Sequence, residues 1–201
     1  MTITPPESPR LRARYDRRRR QVVDRSAEAF AVQGYHNLSM PALAQESGLT
    51  AGGLYHYIGT KDDLLHAIFE RISGETMVAA QAALHSGAPP AERLRGFVEV
   101  WVELLRRFHA HHRTFVQERP SIELGPHGEA VRAWRDEFRD VLDELLEGVR
   151  REGRLRIEDR RLAVATLQGM VTGVSLRAHE WLADASAAEI ADAVCRLVLK
   201  D

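Results

Sequence analysis

Residues 39–61, SMPALAQESGLTAGGLYHYIGTK, hold two helix starts on either side of one helix stop. Ser39 carries the oxygen that caps a helix N-terminus, and Pro41 is tolerated in a first turn. Gly48 can take the left-handed conformation in which helices end. Thr50 caps a second short helix to about Tyr57. Thr60-Lys-Asp-Asp63 then resembles a capping box, with Asp63 where Glu is usual, and opens a long helix carrying Leu65, Ile68, Phe69 and Ile72 on one face. Two short capped helices around a tight glycine turn are helix-turn-helix grammar, in which the second helix enters the DNA major groove.

The rest of the chain repeats the helical theme. Val23, Ala27 and Phe30 share one face of a helix expected over about 15 to 33, which Gly34 stops. Ser86-Gly-Ala-Pro-Pro90 and Gly125-Pro126 are breaks. Between them lie a helix with Leu94, Phe97, Val98, Trp101, Leu105 and Phe108 on its apolar side and a weaker piece over about 112 to 123, interrupted near Pro120. Trp134, Phe138, Val141, Leu145 and Val149 mark the next helix, ended by Gly153. From Leu162 to Ala178 small and apolar residues occur nearly all round, so that helix is buried on more than one side. Ser186-Ala-Ala-Glu189 is a full capping box for a last helix whose charges form a single stripe. One chain of 201 residues has little left to cover both final helices. A second copy is expected to cover them, giving a homodimer through helices at 159–182 and 187–200. No strand or hairpin signature is present. The fold class is all-α.

Composition excludes several classes. Hydrophobic residues make up 44% and charged residues 28%, a globular balance. No apolar run approaches the roughly 18 residues of a membrane span. The single cysteine, Cys195, permits no internal disulfide or cysteine zinc site and suits a reducing, cytoplasmic setting. Net charge is only -1, yet Arg10, Arg12, Arg14, Arg17, Arg18, Arg19, Arg20 and Arg25 face only Asp16 and Asp24 at the N-terminus. No apolar stretch follows this run, so it does not read as a secretory leader. The expected organisation is a disordered basic tail over 1–14, a three-helix DNA-binding domain over 15–60 and a helical ligand-binding and dimerisation domain over 61–201.

Duplex DNA offers phosphates at the groove edges, and a capped helix N-terminus offers short hydroxyls and free N–H groups to meet them. Thr50 supplies both. Tyr55 and Lys61 suit phosphate as a hydroxyl donor and a cation. The arm, with Arg17, Arg18 and Arg19 as its candidate DNA contacts, adds attraction that is independent of sequence and can reach a minor groove.

With Phe30, Gly34-Tyr35, Ser39, Leu43-Ala44, Gly48-Leu49-Thr50, Gly52, Leu54-Tyr55, Tyr57, Lys61 and Leu64-Leu65 at their spacing, residues 17 to 70 resemble the TetR family of bacterial transcriptional regulators. The resemblance implies phosphate contacts from Ser39, Thr50, Tyr55 and Lys61, and base edges lined by Ala51, Gly52, Gly53 and His56. It also implies a variable C-terminal domain that binds an inducer and dimerises through its last two long helices. The sequence departs from the family where Ala51 replaces a polar or basic residue and Gly53 a hydroxyl. Ala51 and two glycines offer no bidentate base contact. His56, the arginines and DNA shape are therefore expected to carry more of the specificity. A helical ligand-binding or adaptor protein with weakened DNA readout is the alternative.

Phe97, Trp101, Phe108, Phe115, Trp134, Phe138, Met170 and Trp181 are candidate ligand contacts, although aromatic stripes at helical spacing more often build core. The stretch from Gln168 to Trp181 and on to Asp192 resembles the branch of TetR regulators that answers to acyl-CoA. The aromatic inventory fits any apolar ligand. His109, His111 and His112 carry no carboxylate at ligand spacing, so no metal is expected. Cys195 reads as a buried structural thiol. No G-x-S-x-G, Walker, H-E-x-x-H or G-x-G-x-x-G motif occurs, and no catalysis or cofactor is expected.

Overall fold

The computed structural model describes residues 6–200, the His179 side chain excepted. Nine α-helices run through them: α1 (Pro9–Gln33), α2 (Met40–Glu46), α3 (Ala51–Ile58), α4 (Lys61–Leu84), α5 (Pro90–Arg107), α6 (His109–Leu124), α7 (Gly128–Arg151), α8 (Arg160–Trp181) and α9 (Ala187–Val198). No β-strand is present among the described residues. An isolated antiparallel bridge pairs Leu155 with Leu199. The all-α expectation holds.

The chain forms two compact units. One comprises the described residues up to Arg71 together with Ala110–Val131. The other comprises Ile72–His109 and the described residues from Arg132 onward. The sequence placed a boundary at 60–61. In the structure the first turns of α4, and nearly all of α6, fold with α1, α2 and α3.

In the N-terminal unit α1, α2 and α3 pack on one another. Val22, Val23, Ala27, Phe30, Leu43, Leu54, Leu64 and Ile68 are all buried there. Burying aliphatic side chains of this size stabilises by about 1.5–3 kcal/mol each. Two expectations are corrected. Residues 9–14, expected to be disordered, continue α1 as helix, with Pro9 in the first turn where its missing N–H costs nothing; residues 1–5 of that tail lie outside the described residues. The weak piece expected from 112 is a helix from His109 that runs through Pro120. A proline costs its helix one N–H···O bond, and here α6 ends within two turns, so little is lost.

In the C-terminal unit α5 packs against α8 and α9. Its core includes Leu94, Phe97, Val98, Trp101, Phe138, Leu142, Leu146, Leu167 and Val194. Gly153, at φ 72°, ends α7 in the left-handed region, and Arg154 N–H donates back to Val149 O at 3.2 Å.

Candidate nucleic-acid interface

The two short helices are set by local chemistry. The Ser39 hydroxyl accepts from Ala42 N–H at 3.3 Å and caps α2. Leu49 N–H donates to Ala44 O at 2.8 Å, while Gly48 sits at φ 64°. This 6→1 bond around a left-handed glycine closes α2 and turns the chain. The Thr50 hydroxyl accepts from Gly53 N–H at 3.1 Å and caps α3. The N–H groups of Ala51 and Gly52 have no intrahelical acceptor at these positions.

Leu54 and Ile58 bury one side of α3, leaving Gly52, Tyr55 and His56 exposed on the other. A Cβ at Gly52 would meet nothing within 4 Å, so this face is open backbone. A Cβ at Gly53 would lie 3.3 Å from Thr50 Oγ1, against the cap. Tyr57, half-buried, packs 5.0 Å from the Tyr15 ring.

The arginines divide. Arg17 faces solvent. Arg18 instead donates to Ser47 O at 3.3 Å and Gly48 O at 3.5 Å, satisfying carbonyls at the end of α2. Arg19 is half-buried. Lys61, taken as a phosphate ligand, places Nζ 4.2 Å from the centroid of the Tyr35 ring. Burial draws its ammonium below the ordinary lysine range. The Tyr35 hydroxyl donates to Asp62 Oδ1 at 2.7 Å, and burial with that carboxylate pushes the phenol up. The capping box at the start of α4 forms: Thr60 N–H donates to Asp63 Oδ2 at 2.8 Å and Asp63 N–H to Thr60 Oγ1 at 3.1 Å.

Residues 22–68 match the model of bacterial regulatory proteins of the tetR family, and residues 87–201 match that of the tetracyclin repressor-like C-terminal domain. The second match alone spans more than half of the chain. The chain belongs to the TetR family. That family is one of bacterial regulatory proteins. The regulator BetI of Rhizobium meliloti is 30% identical over 83 residues, 41% of this chain and 41% of its own. The chain thus matches less than half the length of that relative. The TetR-family regulator PfmR of Thermus thermophilus is 27% identical with a TM-score of 0.77, over 89% of this chain and 96% of its own. AibR, solved with isovaleryl coenzyme A and operator DNA, shares the fold at 23% identity and a TM-score of 0.74, over 90% of this chain and 97% of its own.

In this TetR-family chain the expected ligand contacts separate. Phe97 and Trp101 stack at 5.5 Å, Trp101 meets Phe138 edge-on at 5.1 Å, and Trp134 stacks on Phe138 at 5.0 Å. These four form one aromatic cluster in the C-terminal unit. Phe108 is buried in the same core, and half-buried Met170 packs against it. Two residues stand apart. Phe115 belongs to the N-terminal unit, where its ring lies 5.0 Å from Phe69. Trp181 is 71% exposed, with the Arg177 guanidinium 5.0 Å from its ring. A groove of about 530 Å³ runs along Arg139, Asp140, Asp143, Arg160, Arg161 and Val164, and none of the eight lines it.

Sequence reasoning missed three features of the N-terminal unit. Tyr15, on the same face as Val22, is buried against α3. His111 Nε2 lies 3.0 Å from Asp24 Oδ1, and Thr114 donates to Ala27 O at 3.2 Å, docking α6 on α1. His127 Nε2 lies 2.7 Å from Asp63 Oδ1 and its ring stacks on His66 at 4.2 Å. Burial opposes ionisation of Asp24, but His111 and Arg71 hold it below the usual carboxylate range; Thr60 and His127 do the same for Asp63. The histidines at 109–112 thus include one that is a structural partner. Among the described residues no group of three or more His, Cys, Asp or Glu is arranged to hold a metal. Cys195 is buried, which pushes its thiol up to about 11. No helix among the described residues is long and apolar enough to cross a membrane.

Proposed function

We propose that this TetR-family regulator is a repressor that binds a near-palindromic operator as a homodimer and leaves it when a small hydrophobic or acyl-CoA-like inducer binds. The observation that carries DNA binding is the exposed face of α3. It presents Gly52, Tyr55 and His56 outward, starts with N–H groups lacking helical acceptors, and follows a turn whose carbonyls Arg18 of α1 holds. Thr50, Tyr55, Ser39 and Arg17 hold phosphates; Ala51, Gly52, Gly53 and His56 meet base edges. Lys61 reaches a phosphate by leaving the Tyr35 ring, Arg18 supports the turn through the carbonyls of Ser47 and Gly48, and Arg19 adds cationic attraction from α1.

Dimerisation rests on the outer faces of α8 and α9. Leu162, Ala165, Thr166, Gly169 and Gly173 form an exposed stripe of small and apolar residues on α8, and Ala193 and Leu197 extend it on α9. The inducer reading rests on the aromatic cluster of Phe97, Trp101, Trp134 and Phe138 and on likeness to AibR. A second reading, an adaptor with weakened DNA readout, is favoured by the bare backbone at Gly52.

Selection from random duplex DNA with the purified protein, followed by salt titration, separates the two. A palindrome with a steep salt slope supports the regulator. No enrichment and a flat response support the adaptor. Release of the selected duplex by short-chain acyl-CoA thioesters, but not by coenzyme A alone, tests the inducer class.

A further inference from the structure

α3 is short and poor in helix formers. Its eight residues include Gly52 and Gly53, each costing about 1 kcal/mol relative to alanine. Helices this short are marginal without ties from outside. The N-terminal tie is Thr50. At the other end the last four carbonyls have no intrahelical donor. Gly59 N–H donates to Tyr55 O at 3.1 Å, and the next carbonyl, His56 O, accepts from the Tyr15 hydroxyl at 3.2 Å. That donor comes from α1, 41 residues away.

The same tyrosine sets the His56 side chain. The Tyr15 ring meets the His56 ring edge-on, with centroids 5.6 Å apart and planes at 89°. The Tyr57 ring closes the bracket, 5.3 Å from His56 and 5.0 Å from Tyr15. Tyr15 is only 6% exposed, so it touches no DNA itself, and burial pushes its phenol up and keeps it a donor. His56 is exposed. With Ala51, Gly52 and Gly53 lacking polar side chains, it is the residue on this face whose ring nitrogens can address base edges, and its direction is set from behind.

We infer that Tyr15 is a positioning residue for DNA recognition: through its hydroxyl on His56 O and its ring against the imidazole, it holds the end of α3 and aims His56 at one base pair of each half-site. The inference rests on the regulator reading above.

The test uses the full chain and the duplex enriched from the random pool. Tyr15→Phe removes the hydroxyl and keeps the ring; His56→Ala removes the aimed group; the double variant closes the cycle. Tyr15→Phe is expected to weaken operator binding about three- to tenfold, the range of one net hydrogen bond. It is expected to flatten base preference at the position that His56→Ala also flattens, and to cost less in the His56→Ala background, where only its hold on the residue 56 carbonyl remains. Amide hydrogen exchange is expected to speed up at Gly59 and the last turn of α3 without a matching loss in the rest of the N-terminal unit. A uniform loss across all operator variants, additive with His56→Ala, would mean a merely structural role and overturn the inference. So would unchanged binding and unchanged exchange. A wild-type protein that selects no operator overturns the regulator reading, and this inference with it.

Discussion

Gly52 and Gly53 are neighbours in sequence with opposite surroundings. A Cβ at Gly52 meets nothing, so Gly52→Ala gains about 1 kcal/mol of helix propensity without steric cost. With α3 in the groove as proposed, it also sets a methyl against the groove floor. The expected outcome is a higher melting temperature with weaker operator binding. Gly53→Ala crowds Thr50 Oγ1 at 3.3 Å and is expected to gain less, since the cap it presses on contributes about 1 kcal/mol itself. Thermal melts of the two variants check the contrast. His66 makes a second case at this scale. Burial, opposed by Glu70 and Asp63 and aided by stacked His127, holds its pKa below the ordinary histidine value. The unfolded chain therefore takes up this proton more readily than the folded one. The contribution of neutral His66 is complete above about pH 6.5 and is lost as pH falls below that value. Asp24 and Asp63, depressed carboxylates, lose theirs only further into acid, below about pH 4. The denaturant midpoint of the wild type is expected to drop between pH 7.5 and 5.5, and that drop to shrink in His66→Phe, which keeps a ring against His127. Equal drops in both would remove His66 from the account.

At the scale of elements, α1 serves as both a wall and an arm, and its arginines separate accordingly. Arg17→Ala is expected to lower the slope of log affinity against log salt by about one and leave the melting temperature alone. Arg18→Ala is expected to do the reverse, because its guanidinium holds the carbonyls of Ser47 and Gly48. Salt titrations and melts on the same preparations decide it. This split also shows what could be read in advance. Ser39, Thr50, Thr60 and Ser186 were legible as caps, and Gly34, Gly48 and Gly153 as stops, because capping is chemistry within four residues. The helical character of residues 9–14 was not legible: an arginine-rich stretch without a buried face has no periodicity to detect. The role of α6 was hidden for another reason. His111, Thr114 and His127 meet Asp24, Ala27 and Asp63 across 64 to 87 positions of chain, and no local pattern encodes such a pairing. Tyr15 lay between these cases. It shares a face with Val22, yet only the fold reveals that the face meets α3.

For the whole molecule, the proposal that two chains share one operator rests on the outer faces of α8 and α9. A helix hydrophobic on one side only would bury that side and expose charge; α8 instead exposes Leu162, Ala165, Gly169 and Gly173. Small residues let a second helix approach closely, and Leu197, 63% exposed on α9, supplies the aliphatic bulk. On the proposed reading, two copies of α3 meet half-sites about 34–36 Å apart, and the dimer through these helices is what supplies the second copy. Leu197→Glu introduces a charge that solvent tolerates in a single chain and a partner's apolar face does not. The expected outcome is an unchanged melting profile for the monomer's helical signal at low concentration, a halved mass in sedimentation, and loss of operator binding by more than tenfold while nonspecific binding at low salt persists. Retention of the dimer mass would place the interface elsewhere. Loss of dimer with full operator affinity would mean that a single recognition helix suffices, and the palindromic reading would fall.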